Sequence, residues 1–128
     1  MDRGMFARAV EAHNLKDAMA AFAEDAVLHS PVTFKPIEGR EAIGKILQVV
    51  AEILADFRYT DQLESKDGTF GLIFRARIGE REVEGIDILR FNKAGLIEDI
   101  TVMMRPRSAL EAFRSEMETR LASTDYSP

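Results

Sequence analysis

Apolar residues follow two different periods along this chain, and the changes of period mark the predicted elements. Apolar side chains recur at helical spacing from Met5 to Val10, from Leu15 to Phe22 and from Ile43 to Leu54. Asn14 is typical of a helix cap, so the second of these helices is predicted to begin directly after it. The third is predicted to run from Arg40 to about Ala55.

After the third helix the period falls to two, which is typical of strands. Turn signals such as Asp67-Gly68 and Gly79-Glu80 separate the strand-like segments. One short strand, Ala26–Ser30, is predicted before the third helix. The strands predicted after it are Phe57–Glu64, Phe70–Ile78, Val83–Phe91 and Leu96–Arg105. Ser108-Ala109-Leu110-Glu111 matches a capping box, so a terminal helix is predicted with Ser108 as its cap.

This order of elements predicts an α+β fold, because the helices are segregated from an antiparallel meander of strands. We expect a single domain over residues 1–128, with its core from about 5 to 121. A strongly curved sheet wrapped over the helices would leave a cavity at its concave face.

The strand Val83–Phe91 carries the most informative candidate for chemistry. Alternate side chains of a strand share a face, and one face here reads Val83, Gly85, Asp87, Leu89, Phe91. Asp87 should therefore point among apolar neighbours, where burial raises the pKa of a carboxyl group and suits it to act as base or acid near neutrality. The alternative is a structural aspartate that pairs with an arginine or a backbone amide.

Composition and charge exclude several classes of function. A net charge of -5 argues against nucleic acid as a partner, which requires a basic surface. No apolar run approaches the about 20 residues that span a bilayer, and the first residues lack the apolar core of a signal peptide, so we expect a cytoplasmic protein without membrane contact. Without cysteine, and with only His13 and His29 as histidines, no metal site is predicted.

Four short sequence segments resemble the SnoaL-like branch of the nuclear transport factor 2-like superfamily. They are Phe22–Pro31, Gly39–Ile43, Gly85-Ile86-Asp87 with Phe91, and Gly95–Glu98. The resemblance implies a cone-shaped curved sheet with a deep pocket, and a homodimer. Relatives include ketosteroid isomerase, limonene epoxide hydrolase, scytalone dehydratase and polyketide cyclases, together with proteins that have no catalytic activity, so fold alone does not assign the function.

Two further residues are candidates for chemistry beside Asp87. His29 shares a strand face with Val27, and if that face points inward, His29 and Asp87 would form an acid/base pair. The alternative is a histidine at the edge of the core, bonded to a backbone carbonyl. Tyr59 is a candidate hydrogen-bond donor to a substrate oxygen, or else a wall residue with its hydroxyl at the rim.

Four apolar residues complete the predicted binding site. Leu89 and Phe91 share the face of Asp87, and Phe34 lies in the irregular link between Pro31 and Gly39. Met103 lines the pocket if its face of the last strand points inward; the alternation of that strand leaves both faces open.

Two relatives have patterns from which this chain departs. In limonene epoxide hydrolase an arginine stands two residues before the strand aspartate, and here that residue is Gly85. Ketosteroid isomerase uses a tyrosine from its first helices, and no tyrosine precedes Tyr59 here. Both departures argue against direct transfer of either activity.

The outward faces of two strands predict a contact between two copies of the chain. Isoleucines Ile73, Ile86 and Ile88 are framed by charged residues, which is typical of an interface with an apolar centre. The overall prediction is a homodimer with a pocket for a small apolar organic molecule and isomerase- or cyclase-like proton transfer without a cofactor. The alternatives are a non-catalytic ligand-binding module and a dimerisation module of the same fold.

Overall fold

The computed structural model describes residues 3–122 and contains four helices and six strands in that range. Residues 1–2 and 123–128 of the predicted domain lie outside the described part. In chain order the elements are α1 (Met5–Glu11), α2 (Leu15–Ala20), β1 (Phe22–His29), β2 (Ile37–Glu38), α3 (Arg40–Ile53), β3 (Ala55–Glu64), β4 (Phe70–Ile78), β5 (Arg81–Phe91), β6 (Ile97–Arg105) and α4 (Arg107–Arg120).

The six strands form one curved, unclosed sheet in the order β2-β1-β6-β5-β4-β3. Strands β3 to β6 are a continuous antiparallel meander, while β1 pairs in parallel with β6. Helices pack against the inner face of this sheet and build two apolar clusters with it, one around Phe22 and Leu89 and the other around Phe74 and Phe113. The predicted α+β fold is confirmed.

Strand β3 pairs irregularly with β4, and this irregularity positions Tyr59. The register shifts once between Ala55 and Arg58 and again between Tyr59 and Asp61. Such bulges turn side chains that regular alternation would direct elsewhere. The placement of Tyr59 therefore depends on long-range pairing and not on local sequence alone.

The two predicted helix caps have different outcomes. The Asn14 side chain accepts a hydrogen bond from the backbone N–H of Asp17 at 3.1 Å, which confirms it as the cap of α2. The predicted cap at Ser108 is wrong, since the cap position is Pro106, two residues earlier, and α4 begins at Arg107 with no side-chain cap. The carboxylate of Glu111 instead accepts from Arg114 Nε at 2.9 Å within the helix.

Candidate functional site

A cavity of about 160 Å³ lies between the inner face of the sheet and the helices. Its volume is well above the 10–15 Å³, roughly, that one water molecule needs by the same measure. The wall is formed mainly by apolar side chains from all four helices and from the four strands β1, β3, β4 and β6, while β5 contributes Asp87. The polar residues in the wall are His13, Asn14, Ser30, Tyr59 and Asp87.

Asp87 is the only carboxylic acid in the wall of this cavity among residues 3–122. This residue belongs to β5 and is 7% exposed. Burial raises the pKa of Asp87 to about 7, although a hydrogen bond from Tyr59 acts in the opposite direction. Near neutral pH both protonation states are therefore populated, as proton transfer in either direction requires.

The hydroxyl of Tyr59 donates a hydrogen bond to Asp87 Oδ2 at 2.7 Å. Within the described chain, Asp87 Oδ1 has no hydrogen-bond partner and is available to a ligand. Burial raises the pKa of Tyr59 well above its ordinary value, and the nearby charges of Asp87 and Glu11 raise it further. Tyr59 is therefore held as the protonated donor of this pair.

Glu11 links α1 to the irregular part of β3. Its Oε2 accepts a hydrogen bond from the backbone N–H of Tyr59 at 3.1 Å. The Glu11 carboxylate therefore satisfies a backbone N–H that lies between the two register shifts of β3 against β4. This contact holds the main chain at Tyr59 beside the cavity.

Gly85 lets β5 approach its neighbours closely, two residues before Asp87. A Cβ atom at this position would lie 2.3 Å from Phe74 Cζ and 2.6 Å from the backbone oxygen of Met103. Phe74 in turn stacks on Phe57, with ring centroids 4.9 Å apart. There is no room for a larger residue here, which gives a physical reason for the absence of the arginine that limonene epoxide hydrolase has at the corresponding position.

His29 lies on the opposite face of β1 from the cavity. Its Nε2 is 2.9 Å from Asp99 Oδ2, and His29 is not among the residues of the cavity wall. The condition for the predicted pair with Asp87, that the face of Val27 and His29 points inward, is not met, because Leu28 is the inward residue and is 2% exposed. The pairing of β1 with β6 shifts register between Phe22 and Val27, so the inward set could not be read from alternation.

None of the four predicted apolar contact residues lies in the cavity wall. Leu89 is fully buried in the core, and Phe91 packs edge-on against Phe70 with ring centroids 5.4 Å apart. Met103 is 54% exposed on the outer face of the sheet, and Phe34 is fully exposed. Strand β6 instead contributes its other face to the cavity wall, through Ile100, Val102 and Met104.

Sequence reasoning did not identify His13 as a residue of the cavity wall. His13 follows the last turn of α1 with a left-handed φ of 57°. Its N–H donates to Val10 O at 3.1 Å, and the N–H of Asn14 donates to Ala9 O at 2.8 Å, which together form a Schellman motif. Glycine is favoured at this position, and a residue with a Cβ atom costs about 1–2 kcal/mol in this conformation. The pattern of apolar residues in the sequence does not indicate a residue with this backbone conformation.

The described residues contain no group of three or more histidine, aspartate and glutamate side chains that could hold a metal ion. Likewise, none of the helices between residues 3 and 122 combines the length and apolar character needed to cross a bilayer.

Comparisons with known proteins show what the chain is similar to. The sequence profile of the SnoaL-like domain matches residues 3–100. A steroid delta-isomerase from Pseudomonas aeruginosa is 42% identical, with a TM-score of 0.86 over 91% of this chain and 85% of that one. No curated protein matches the chain in sequence.

Two further solved structures share the fold. A protein with a cystatin-like fold from Silicibacter pomeroyi is 29% identical, with a TM-score of 0.87 over 95% of this chain and 85% of that one. A nuclear transport factor 2-like protein of unknown function from Burkholderia xenovorans is 14% identical, with a TM-score of 0.69 over 84% of this chain and 87% of that one. At 14% identity, the similarity to the Burkholderia xenovorans protein concerns the fold alone.

Proposed function

This chain belongs to the SnoaL-like branch of the nuclear transport factor 2-like superfamily, and from the site that it carries we propose that it is a cofactor-independent enzyme that moves a proton within a small apolar carbonyl compound. The observation that carries the proposal is the placement of Asp87. It is a buried carboxyl group with a pKa near 7, in an apolar cavity, with one oxygen held by Tyr59 and the other available.

The proposed reaction is the migration of a double bond in an unsaturated ketone. Ionised Asp87 takes a proton through Oδ1 from the carbon between the carbonyl and the double bond, and the electron pair of that C–H bond enters the conjugated enolate. The protonated carboxyl group then returns the proton to the far carbon of the former double bond. The carbonyl is restored, the double bond becomes conjugated, and no water or cofactor is consumed.

The surroundings of Asp87 support this role in two ways. The mainly apolar wall gives the cavity a low local dielectric, which strengthens the electrostatic interactions of its few polar groups. Tyr59 keeps Oδ2 occupied, so that the geometry of the carboxyl group is fixed while Oδ1 reacts. We assign no step to His29, whose imidazole contacts Asp99 on the other side of the sheet.

The test is isomerisation of two β,γ-unsaturated ketones, 5-androstene-3,17-dione and 3-cyclohexen-1-one, followed by the ultraviolet absorbance of the conjugated product. The steroid is chosen because the Pseudomonas aeruginosa relative is a steroid delta-isomerase. We expect Asp87→Asn to lower kcat about 100- to 10,000-fold, the usual range for a lost acid/base group. Asp99→Asn is the matched control, since Asp99 is also a hydrogen-bonded strand aspartate but is not in the cavity wall.

Full activity in a folded Asp87→Asn protein would contradict the proposal. If both ketones bind the wild-type protein without turnover, the chain is a non-catalytic ligand-binding module of the same fold.

The outer face of the sheet supports a homodimer as a second part of the proposal. Ile73 lies opposite Ile86 on the neighbouring strand, and Ile86 lies opposite Met103 on the next. Beside them Glu84 forms ion pairs with Arg75 at 3.1 Å and with Arg105 at 3.0 Å. An apolar centre with a charged border suits contact with a second copy, and light scattering at micromolar concentration is expected to give twice the monomer mass.

A further inference from the structure

His13 differs from the other polar residues of the cavity wall because its side chain has no hydrogen-bond partner in the described part of the chain. The Asp87 and Tyr59 side chains bond to each other, Asn14 caps α2, and the Ser30 hydroxyl accepts a hydrogen bond from a backbone N–H at 3.1 Å. Across residues 3–122 the imidazole of His13 makes no hydrogen bond to another residue. Its nitrogen atoms are therefore available to a ligand in the cavity.

The backbone at His13 gives an independent reason to look for a function. The residue occupies the left-handed position of the Schellman motif at the end of α1, where glycine would be more favourable. Helix termination therefore does not explain a histidine here. A residue kept in an unfavourable conformation beside a cavity is better explained by its side chain than by its main chain.

His13 and Asp87 also differ in depth. His13 is exposed, so it stands where the cavity meets solvent, whereas Asp87 is buried. Apolar side chains of the helices, such as Leu15 and Val50, form the wall together with them. A ligand that reaches both residues must be mainly apolar and carry a polar group at each end.

We propose that His13 binds the outer end of a mainly apolar ligand through an oxygen function remote from Asp87. The proposal rests on the proposed function, because it takes Asp87 and Tyr59 as the inner end of the same site. A neutral imidazole has one N–H donor and one acceptor nitrogen, so either a ketone or a hydroxyl group fits this position.

The test uses two pairs of phenols, in which the phenol is a stable analogue of the enol and binds without turnover. Each pair differs by one remote ketone oxygen. They are 4-cyclohexylphenol with 4-(4-hydroxyphenyl)cyclohexanone, and 17-deoxyestrone with estrone. Affinities are measured by calorimetry for the wild-type protein, for His13→Gly, and for His29→Asn as a matched histidine control on the outer face.

In the wild-type protein and in His29→Asn, we expect the remote oxygen to raise affinity about three- to tenfold in at least one pair, as one net hydrogen bond does. In His13→Gly this gain disappears, while affinity for the deoxy phenol is kept. The Tm of His13→Gly does not fall, since glycine suits the backbone there. In nuclear magnetic resonance spectra, binding of the ketone shifts the imidazole signals of His13 and leaves those of His29 unchanged.

A gain from the remote oxygen that persists in His13→Gly would overturn the inference, as would the absence of any gain in both pairs for the wild-type protein. If Asp87→Leu no longer binds the deoxy phenols, that loss supports the inner end of the site independently of His13. If none of the four phenols binds, the proposed ligand site and this inference both fail.

Discussion

Replacing Asp87 by asparagine should change how the stability of the protein depends on pH. The carboxyl group has a pKa of about 7 in the folded protein and 3.8 as the ordinary value, so the folded state binds more protons between these values. Stability from this group is therefore complete below pH 4 and is lost as the pH rises through 7. At 1.36 kcal/mol per unit, the full difference is about 4 kcal/mol.

The assay is urea denaturation of the wild-type protein and Asp87→Asn at intervals between pH 4.5 and 8. Asparagine does not titrate but can still accept the hydrogen bond from Tyr59. The free energy of unfolding of the wild-type protein, minus that of the variant, is expected to fall by about 3 kcal/mol across this range. Contributions from other titrating groups cancel in the difference. Parallel pH profiles for the two proteins would refute the assignment of a raised pKa to buried Asp87.

Three other changes give separate tests. Tyr59→Phe removes the hydrogen bond that lowers the pKa of Asp87, so the carbon-13 titration of that carboxyl should move to higher pH; an unchanged midpoint would contradict the contact. Gly85→Ala should cost about 3 kcal/mol in urea denaturation, because its Cβ has no space, whereas Gly71→Ala meets only a flexible methyl at 3.2 Å and should cost much less; equal losses would contradict this. Ile86→Glu should give the monomer mass in light scattering, and a persistent dimer would place the interface elsewhere.

The sequence was sufficient for the order of elements because each element has its own period of apolar residues. The predicted strand Phe70–Ile78 has the same bounds in the structure, and Asp87 lies on the inner face together with Leu89. Alternation around Asp87 is unambiguous since its neighbours on one face are apolar over nine residues. The family resemblance was confirmed by the match over residues 3–100.

The composition of the site depended on contacts that local patterns do not encode. The side of the sheet that His29 faces follows from a register shift between β1 and β6, and the reach of Tyr59 to Asp87 follows from two shifts between β3 and β4. Phe34 and Met103 show that residue type alone does not determine burial. His13 was missed because its signal is a backbone conformation at a helix end.

The pH dependence of kcat/KM for ketone isomerisation by the wild-type protein tests most directly whether Asp87 transfers the proton. We expect kcat/KM to increase tenfold per pH unit well below 7 and to level off above it, since only the ionised carboxylate removes the proton from the ketone. The kinetic midpoint should coincide with the carbon-13 titration of Asp87 in the same protein. A rate that is independent of pH between 5 and 9, or a midpoint that differs from the titration of Asp87, would contradict the central claim.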